Sequence, residues 1–238
     1  MKLDLLVIAA HPDDAELACG GTILLHVAQG RKVGVVDLTA GELGTNGTAE
    51  TRAEEATEAA KVLGLAVREN LGLRDGFFAN DQVHQLAVVR AIRRYQPEVV
   101  LANAPSDRHP DHGRAAQLVK DACFLAGLKK IETFDGDELQ AAWRPKNLYH
   151  MVQSNYLKPD FVVDITDFWE QKMEAIYAYR TQFHLPGQAN EPTFIATPEF
   201  LHFLEARARE YGQAIRTRYG EGFICDKQLG VTSLFDLL

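Results

Sequence analysis

Leu3–Ala10 is apolar at every position except Asp4 and is too short for a stand-alone helix, the pattern of a strand buried on both faces. The next segment changes period. Gly20-Gly21 opens it, Ile23, Leu24 and Val27 give it an apolar stripe, and Gly30 stops it, so a helix is expected there. Lys32–Thr39 repeats the strand pattern and is followed by the Gly-rich stretch Gly41–Gly47. A helix then runs from about Thr51 to Leu63, ended by Gly64, with Thr51 and Glu54 spaced as a capping box. Ala66–Leu71 predicts a strand, Asp81–Tyr95 a helix stopped before Pro97, Glu98–Ala104 a strand, and Gly113–Ala126 a helix closed by Gly127. A parallel pair of strands needs a crossover, and the crossover must cover a buried sheet face. This alternation therefore predicts an α/β fold: a Rossmann-like, doubly wound, mostly parallel sheet with helices on both sides.

Beyond Gly127 the alternation weakens. Strands are expected at Lys146–Gln153 and Phe161–Ile165, and helices at about Asp167–Arg180 and Pro198–Arg218, the latter started by Thr197 and Pro198. Trp169, Met173, Ile176 and Tyr177 form one core-facing stripe, and Phe200, Leu201 and Leu204 another. Gln182–Ala196, with turn chemistry at Pro186-Gly187 and Pro192, has no period and reads as a loop over a site. No repeat or linker interrupts the chain. Residues 1–238 thus read as a single domain, a Rossmann-like core over 1–127 completed by a mixed α/β extension over 128–238.

The 238 residues are enough for one large core burying about 70% of the unfolded surface, and 46% apolar with 24% charged residues is an ordinary globular composition. No apolar run reaches the roughly 18 residues of a membrane span. Lys2 leads directly into the first strand without the pattern of a secretory signal, so a cytoplasmic location is expected. The net charge of −8 disfavours nucleic acid as a partner. The most basic stretch, Arg207–Arg218, is interleaved with Glu210 and Tyr211 and reads as a solvated helix face. Cys19, Cys123 and Cys225 form no Cys-x-x-Cys and read as buried reduced thiols, not as disulfides or zinc thiolates.

His11-Pro12-Asp13-Asp14 leaves the first strand, and His109-Pro110-Asp111-His112 follows the fourth. In a doubly wound sheet of order 3-2-1-4-5 those strands are neighbours where the winding reverses, and ligands bind outside their carboxyl ends. The two loops should therefore meet in one crevice. Two imidazoles and a carboxylate are donors that suit Zn²⁺ and leave a position open for water, as in hydrolytic sites. Spacing alone leaves open which of His109 and His112 binds, and whether Asp13 or Asp14 does.

The stretches His11–Glu16, Thr51-Arg52-Ala53-Glu54-Glu55-Ala56 and His109–His112 together resemble the LmbE-like (PIG-L-type) zinc N-deacetylase superfamily, whose members remove acetyl from N-acetylglucosaminyl compounds. Tyr179-Arg180-Thr181-Gln182-Phe183, Thr193–Phe200 and Tyr219-Gly220-Glu221-Gly222-Phe223 resemble its bacillithiol-biosynthesis branch, which acts on N-acetylglucosaminyl-malate. The resemblance implies His11, Asp14 and His112 as metal ligands, Asp13 as general base and His109 as an oxyanion stabiliser. Zn²⁺ is the implied cofactor, with Fe²⁺ or another divalent transition metal compatible with the same donors. Asp111 either holds the His109 imidazole, caps the following helix or orients a ligand histidine.

Malate adds two carboxylates, for which Arg52 and Arg108 are the candidate substrate-binding cations; Arg52 has the alternative of a salt bridge to Asp13 or Glu55. Gly41–Gly47 lacks the Lys-Ser/Thr ending of a P-loop and reads as a wall of the sugar pocket. The expected partner is a small-molecule glycoside, with no nucleic acid or membrane, and a homo-oligomer is compatible with the sequence. The competing readings are a hydrolase of another N-acetylglucosaminide or thiol conjugate, a Mg²⁺ phosphohydrolase, to which paired histidines are less suited, and a non-catalytic nucleotide-binding module.

Overall fold

A computed structural model describes residues 1–184 and 190–236. The elements are β1 (Leu5–Ala9), α1 (Asp14–Ala28), β2 (Val33–Thr39), α2 (Ala49–Leu63), β3 (Val67–Leu73), α3 (Gln82–Tyr95), β4 (Val99–Ala102) and α4 (Pro110–Ala126). A short hairpin, β5 (Phe134–Asp135) with β6 (Glu138–Leu139), precedes β7 (Asn147–Met151), β8 (Phe161–Asp164), α5 (Trp169–Tyr177), α6 (Pro198–Ala214) and β9 (Gly220–Cys225). The main sheet has the order β3-β2-β1-β4-β7-β9-β8. β1 to β4 and β7 run parallel, as the alternating pattern requires, while β9 lies antiparallel between β7 and β8. The chain beyond Gly127 thus extends the same sheet.

β1 is buried at every position and serves both faces. Leu6 and Ile8 join Val36, Leu38, Val88, Ile92, Leu118 and Val119 under α3 and α4. Leu5, Val7 and Ala9 join Ile23, Leu24, Val35, Leu63, Met151 and Phe223 on the other side. The register pairs Ile8 with Ala102, so β1 and β4 end side by side, and the Ala10 N–H donates to Asn103 Oδ1 at 2.8 Å. This places the segments that follow both strands in one crevice.

Several boundaries differ from the sequence reading. α1 begins at Asp14, and Gly20-Gly21 lie inside it, beside a kink at Cys19 (φ −143°, ψ 19°). A Cβ on Gly21 would come within 2.7 Å of the Ile165 side chain, so the glycine permits close approach of the segment leading into α5. α2 starts earlier, its capping box formed by Thr48 and Thr51 instead of Thr51 and Glu54. α4 starts at Pro110, so His109 is its N-cap and Asp111 and His112 lie in its first turn. Tyr177 faces solvent, outside the stripe of Trp169, Met173 and Ile176. Cys19 and Cys123 are buried free thiols, and Cys225 is half-buried. Pro186-Gly187, part of the anticipated loop, lie outside the described residues. Among those described, no helix is long and apolar enough to cross a membrane.

The kink in α1 opens backbone groups that a regular helix would pair internally. Lys172 Nζ donates to the Leu17 carbonyl (2.9 Å), while Glu221 accepts from the Gly21 N–H (3.0 Å), the Thr22 N–H (2.7 Å) and the Thr22 hydroxyl (2.6 Å). Lys172 and Glu221 also pair at 2.6 Å, both buried. One ion pair thereby caps both sides of the break. Removing one partner of a buried pair leaves the other charge uncompensated, so Lys172→Met should cost about 3–5 kcal/mol of unfolding free energy, read from the denaturant midpoint. A loss below about 1 kcal/mol would show that the pair contributes only as an exposed one would.

Candidate metal centre

The turn from β1 into α1 presents three functional groups, His11, Asp13 and Asp14, within four residues by adopting an uncommon backbone. Asp13 has φ 117° and ψ −27°, a conformation L side chains rarely adopt. Arg52, on α2, holds it: Nη2 donates to the Pro12 carbonyl and to Asp13 Oδ2, the latter at 2.9 Å, and Nη1 donates to Gln182 Oε1 at 3.0 Å. Asp14 then starts α1. Across the crevice, His109 and His112 are delivered by the first turn of α4.

The two groups meet around the Asp14 carboxylate. His112 Nε2 lies 3.0 Å from Asp14 Oδ1, and His11 Nδ1 lies 3.5 Å from Asp14 Oδ2. The remaining nitrogen of each ring faces another carboxylate. His11 Nε2 is 3.0 Å from Asp75 and 3.3 Å from Asp111, and His112 Nδ1 bonds Asp107. Asp14 itself is fixed by the His11 N–H (3.0 Å), Asn103 Nδ2 (3.0 Å) and Gln153 Nε2 (2.9 Å). Its contacts with His11 on one oxygen and His112 on the other make it the common point of both motifs.

The charges follow from this packing. Burial works to depress the His112 pKa, but the Asp14 charge and the hydrogen bonds to Asp107 and Asp14 outweigh it and take it up to about 9. His11 is likewise depressed by burial and held well above its ordinary value by hydrogen bonds to Asp111, Asp14 and Asp75. Burial pushes the Asp13 carboxyl up to about 7 against the pull of Arg52, aided by the neighbouring Asp14. His109 moves the other way, lowered by burial and by the charge of His11 and His112. Its Nδ1 accepts the Asp111 N–H at 3.3 Å, so the neutral ring carries its proton on Nε2.

These donors fit a divalent transition metal. Ring nitrogens of His11, His109 and His112 lie within 4.8 Å of one another, and Asp14 adds an oxygen between two of them. Histidines whose other nitrogen is tied to a carboxylate are the usual arrangement around such an ion, because the carboxylate fixes the tautomer and raises ligand basicity. A second group, His11 with Asp75 and Asp111, shares His11.

The sequence-derived candidates are therefore largely brought together, with differences. His11, Asp13, Asp14, Arg52, Arg108, His109 and His112 all line one cavity of about 410 Å³, large enough for an amino sugar. Asp111 is fully buried and turns its carboxylate to His11, to Arg114 (2.5 Å) and to the Gly76 N–H (2.9 Å); it does not hold the His109 ring through its side chain. Arg52 takes up the salt bridge to Asp13, which occupies it with protein acceptors. Arg108 is exposed and stacks on Phe194, its guanidinium carbon 4.1 Å from the ring centre. The Gly-rich stretch contributes Leu43, Gly44 and Thr45 to the wall, and the segment after α5 contributes Thr193, Phe194 and Ile195. Sequence reasoning missed Asp75 and Asp107. Only Asp107 carried a signal, standing two residues before His109.

An open α/β sheet with a histidine–carboxylate cluster at its switch point defines a hydrolase-type enzyme with a candidate metal centre. The family model for GlcNAc-PI de-N-acetylase (PIG-L) matches residues 6–123. Among curated relatives, diacetylchitobiose deacetylase of Thermococcus kodakarensis is 30% identical over 91% of this chain and 80% of its own. The 4-oxalmesaconate hydratase of Pseudomonas putida is 32% identical over 76% of this chain and 74% of its own. A probable N-acetyl-α-D-glucosaminyl L-malate deacetylase 2 of Bacillus subtilis is 28% identical over 76% and 84%. The solved structure of the conserved protein TT1542 from Thermus thermophilus superposes with a TM-score of 0.86 at 38% identity, covering 97% of this chain and 98% of that one. The chain belongs to the PIG-L family, a family of acetamide-cleaving hydrolases, and is an enzyme. That membership sets aside the non-catalytic nucleotide-binding alternative.

If His11, Asp14 and His112 are the ligands, the purified chain should bind about one divalent transition metal per protomer, and His112→Ala should abolish stoichiometric binding in a metal titration. Full occupancy in that variant would transfer the role to His109. Asp107→Asn, which leaves the ring but removes its carboxylate partner, should weaken metal affinity about 10–100-fold.

Proposed function

We propose that the protein is a zinc-dependent N-deacetylase that hydrolyses the acetamide of N-acetylglucosaminyl compounds, with N-acetyl-D-glucosaminyl-L-malate, the bacillithiol-pathway compound, as its substrate. The observation that carries this reading is the placement of Asp13, buried and paired with Arg52, beside the Asp14–His11–His112 cluster at the wall of one cavity. His11, Asp14 and His112 would hold the ion, which when bound supplies Lewis acidity toward the amide carbonyl and makes water more acidic.

The chain's own groups then divide the proton work. Arg52 engages Asp13 Oδ2, so Oδ1 is the oxygen available to an attacking water. Asp13 takes the water proton and returns it to the nitrogen of the departing amine. The Nε2–H of His109 donates to the carbonyl oxygen as negative charge develops there. Arg108, stacked on Phe194 at the cavity wall, offers a planar cation to a malate carboxylate. The malate deacetylase relative and the motifs of the bacillithiol branch support the substrate; the diacetylchitobiose deacetylase supports the amino-sugar class.

The Pseudomonas putida relative favours a second reading, a hydratase using the same cluster. Acetate release separates the two, because adding water across a double bond frees no acid. On a panel of N-acetylglucosaminides, acetate should appear fastest from the malate conjugate and much more slowly from free N-acetylglucosamine, since remote binding energy orients the amide. Equal rates would remove malate and leave the broader deacetylase. Asp13→Asn should keep its metal and lose ~10²–10⁴ in kcat, about 3–5 kcal/mol of barrier; metal loss in that variant would make Asp13 a ligand.

A further inference from the structure

Among the described residues, the arginines that are buried or half-buried are held by protein oxygens, with one exception that opens on the cavity. Arg93 donates to the carbonyls of Ala126, Leu128 and Ile131 and to the Thr133 hydroxyl. Arg68 is tied to Asp37 and to Glu16. Arg207, on α6, is half-buried and lines the same cavity as the candidate metal centre, and its Nη1 is shut off from solvent without a hydrogen-bond partner among the described residues. It therefore does not belong to the solvated basic face that the sequence pattern suggested for Arg207–Arg218.

Among the described residues, no carboxylate that acts on it is free to serve it. The negative groups acting on Arg207 from a distance include Asp107 and Glu221. Asp107 is already taken by His112 and by the N–H groups of Ser154 and Asn155. Glu221 is taken by Lys172 and the kink of α1. Phe203, with its ring centre 5.2 Å from the guanidinium carbon, covers Arg207 without supplying an acceptor. Burial lowers the Arg207 pKa, the expected sign for a desolvated cation that lacks a close partner. A guanidinium N–H shut off from water is unfavourable unless an oxygen acceptor reaches it.

We propose that Arg207 anchors an anion subsite in this cavity, receiving a carboxylate or phosphate carried by the substituent on the acetylated amino sugar. This rests on the deacetylase reading and deepens it. Arg207 and the exposed Arg108 then have different tasks. Arg108 meets the anion at the solvent side, while Arg207 binds where the low dielectric strengthens the contact. Arg207 acts on specificity and does not touch the reacting amide.

The test compares the wild-type enzyme, Arg207→Gln, Arg207→Lys and Arg207→Met on N-acetylglucosaminyl-malate, N-acetylglucosamine 1-phosphate and the neutral methyl N-acetylglucosaminide. Arg207→Gln should lower the ratio of kcat/KM for the preferred anionic substrate over the neutral one by about ten- to a hundredfold, mainly through KM, and Arg207→Lys should restore part of it. The malate and phosphate arms identify which anion the subsite takes. Arg207→Met removes a guanidinium whose sheltered Nη1 has no acceptor, so its Tm should equal or exceed that of wild type. An unchanged ratio, or a lowered Tm with equal losses on all substrates, would overturn the proposal and make Arg207 structural. If the wild-type enzyme releases acetate from none of these compounds, the deacetylase reading fails. The subsite is then judged by calorimetry with the three compounds, where the affinity for an anionic compound must drop in Arg207→Gln.

Discussion

The concentration of carboxylates at one end of the sheet sets the terms for everything near it. Asp13, Asp14, Asp75, Asp107 and Asp111 converge on a single crevice, and none of them is well exposed. Burying so much negative charge is tolerable only if each group is given a cation or several donors. The fold answers with Arg52 on Asp13, Arg114 on Asp111, amide donors on Asp14 and imidazoles between the rest. The elevated pKa values of His11 and His112 express the same field: the crevice attracts positive charge, as protons on the rings or as a divalent ion between them.

The architecture that creates the crevice was readable because it is repetitive. A parallel strand buried on both faces leaves an apolar run, unbroken in β1 and β4 and interrupted in β2 only at Asp37 and its end residue Thr39. Two histidine-bearing segments placed after neighbouring strands then had to meet. β9 was not readable as a strand. Its six residues include two glycines, which have low strand propensity. Gly222 is there because a Cβ would come within 2.8 Å of the Tyr211 ring and 3.0 Å of Pro159, a packing requirement from α6 that leaves no local pattern.

The site shows the same division between local and tertiary information. His11, Asp14, His109 and His112 announce themselves by composition and spacing. Asp75 lies in an irregular segment after β3, and only the folded chain brings it to His11. Arg207 was obscured for a different reason. On a helix carrying Glu205, Arg209 and Glu210, one more charged residue looks like part of a wet surface, and helical periodicity does not tell that this position turns to a cavity. Arg52 was ambiguous by nature, since a guanidinium at a helix start can serve a substrate or a neighbouring carboxylate, and the choice depends on where Asp13 points.

Arg52 does more than hold an uncommon backbone turn. Its other amino group reaches Gln182, whose side-chain amide donates to the Asn46 carbonyl, and Asn46 in turn exchanges hydrogen bonds with the backbone of Glu191. One polar chain thus runs from the proposed base through both segments that wall the cavity. Catalysis and substrate fit are consequently not separate modules in this protein. A lineage that altered Asn46 or Gln182 to admit a different sugar would also shift the charge balance at Asp13, so the effects of paired substitutions along this chain would be non-additive. Adaptation to new substrates would then follow a constrained order, with changes at the wall tolerated only after the turn had acquired another support.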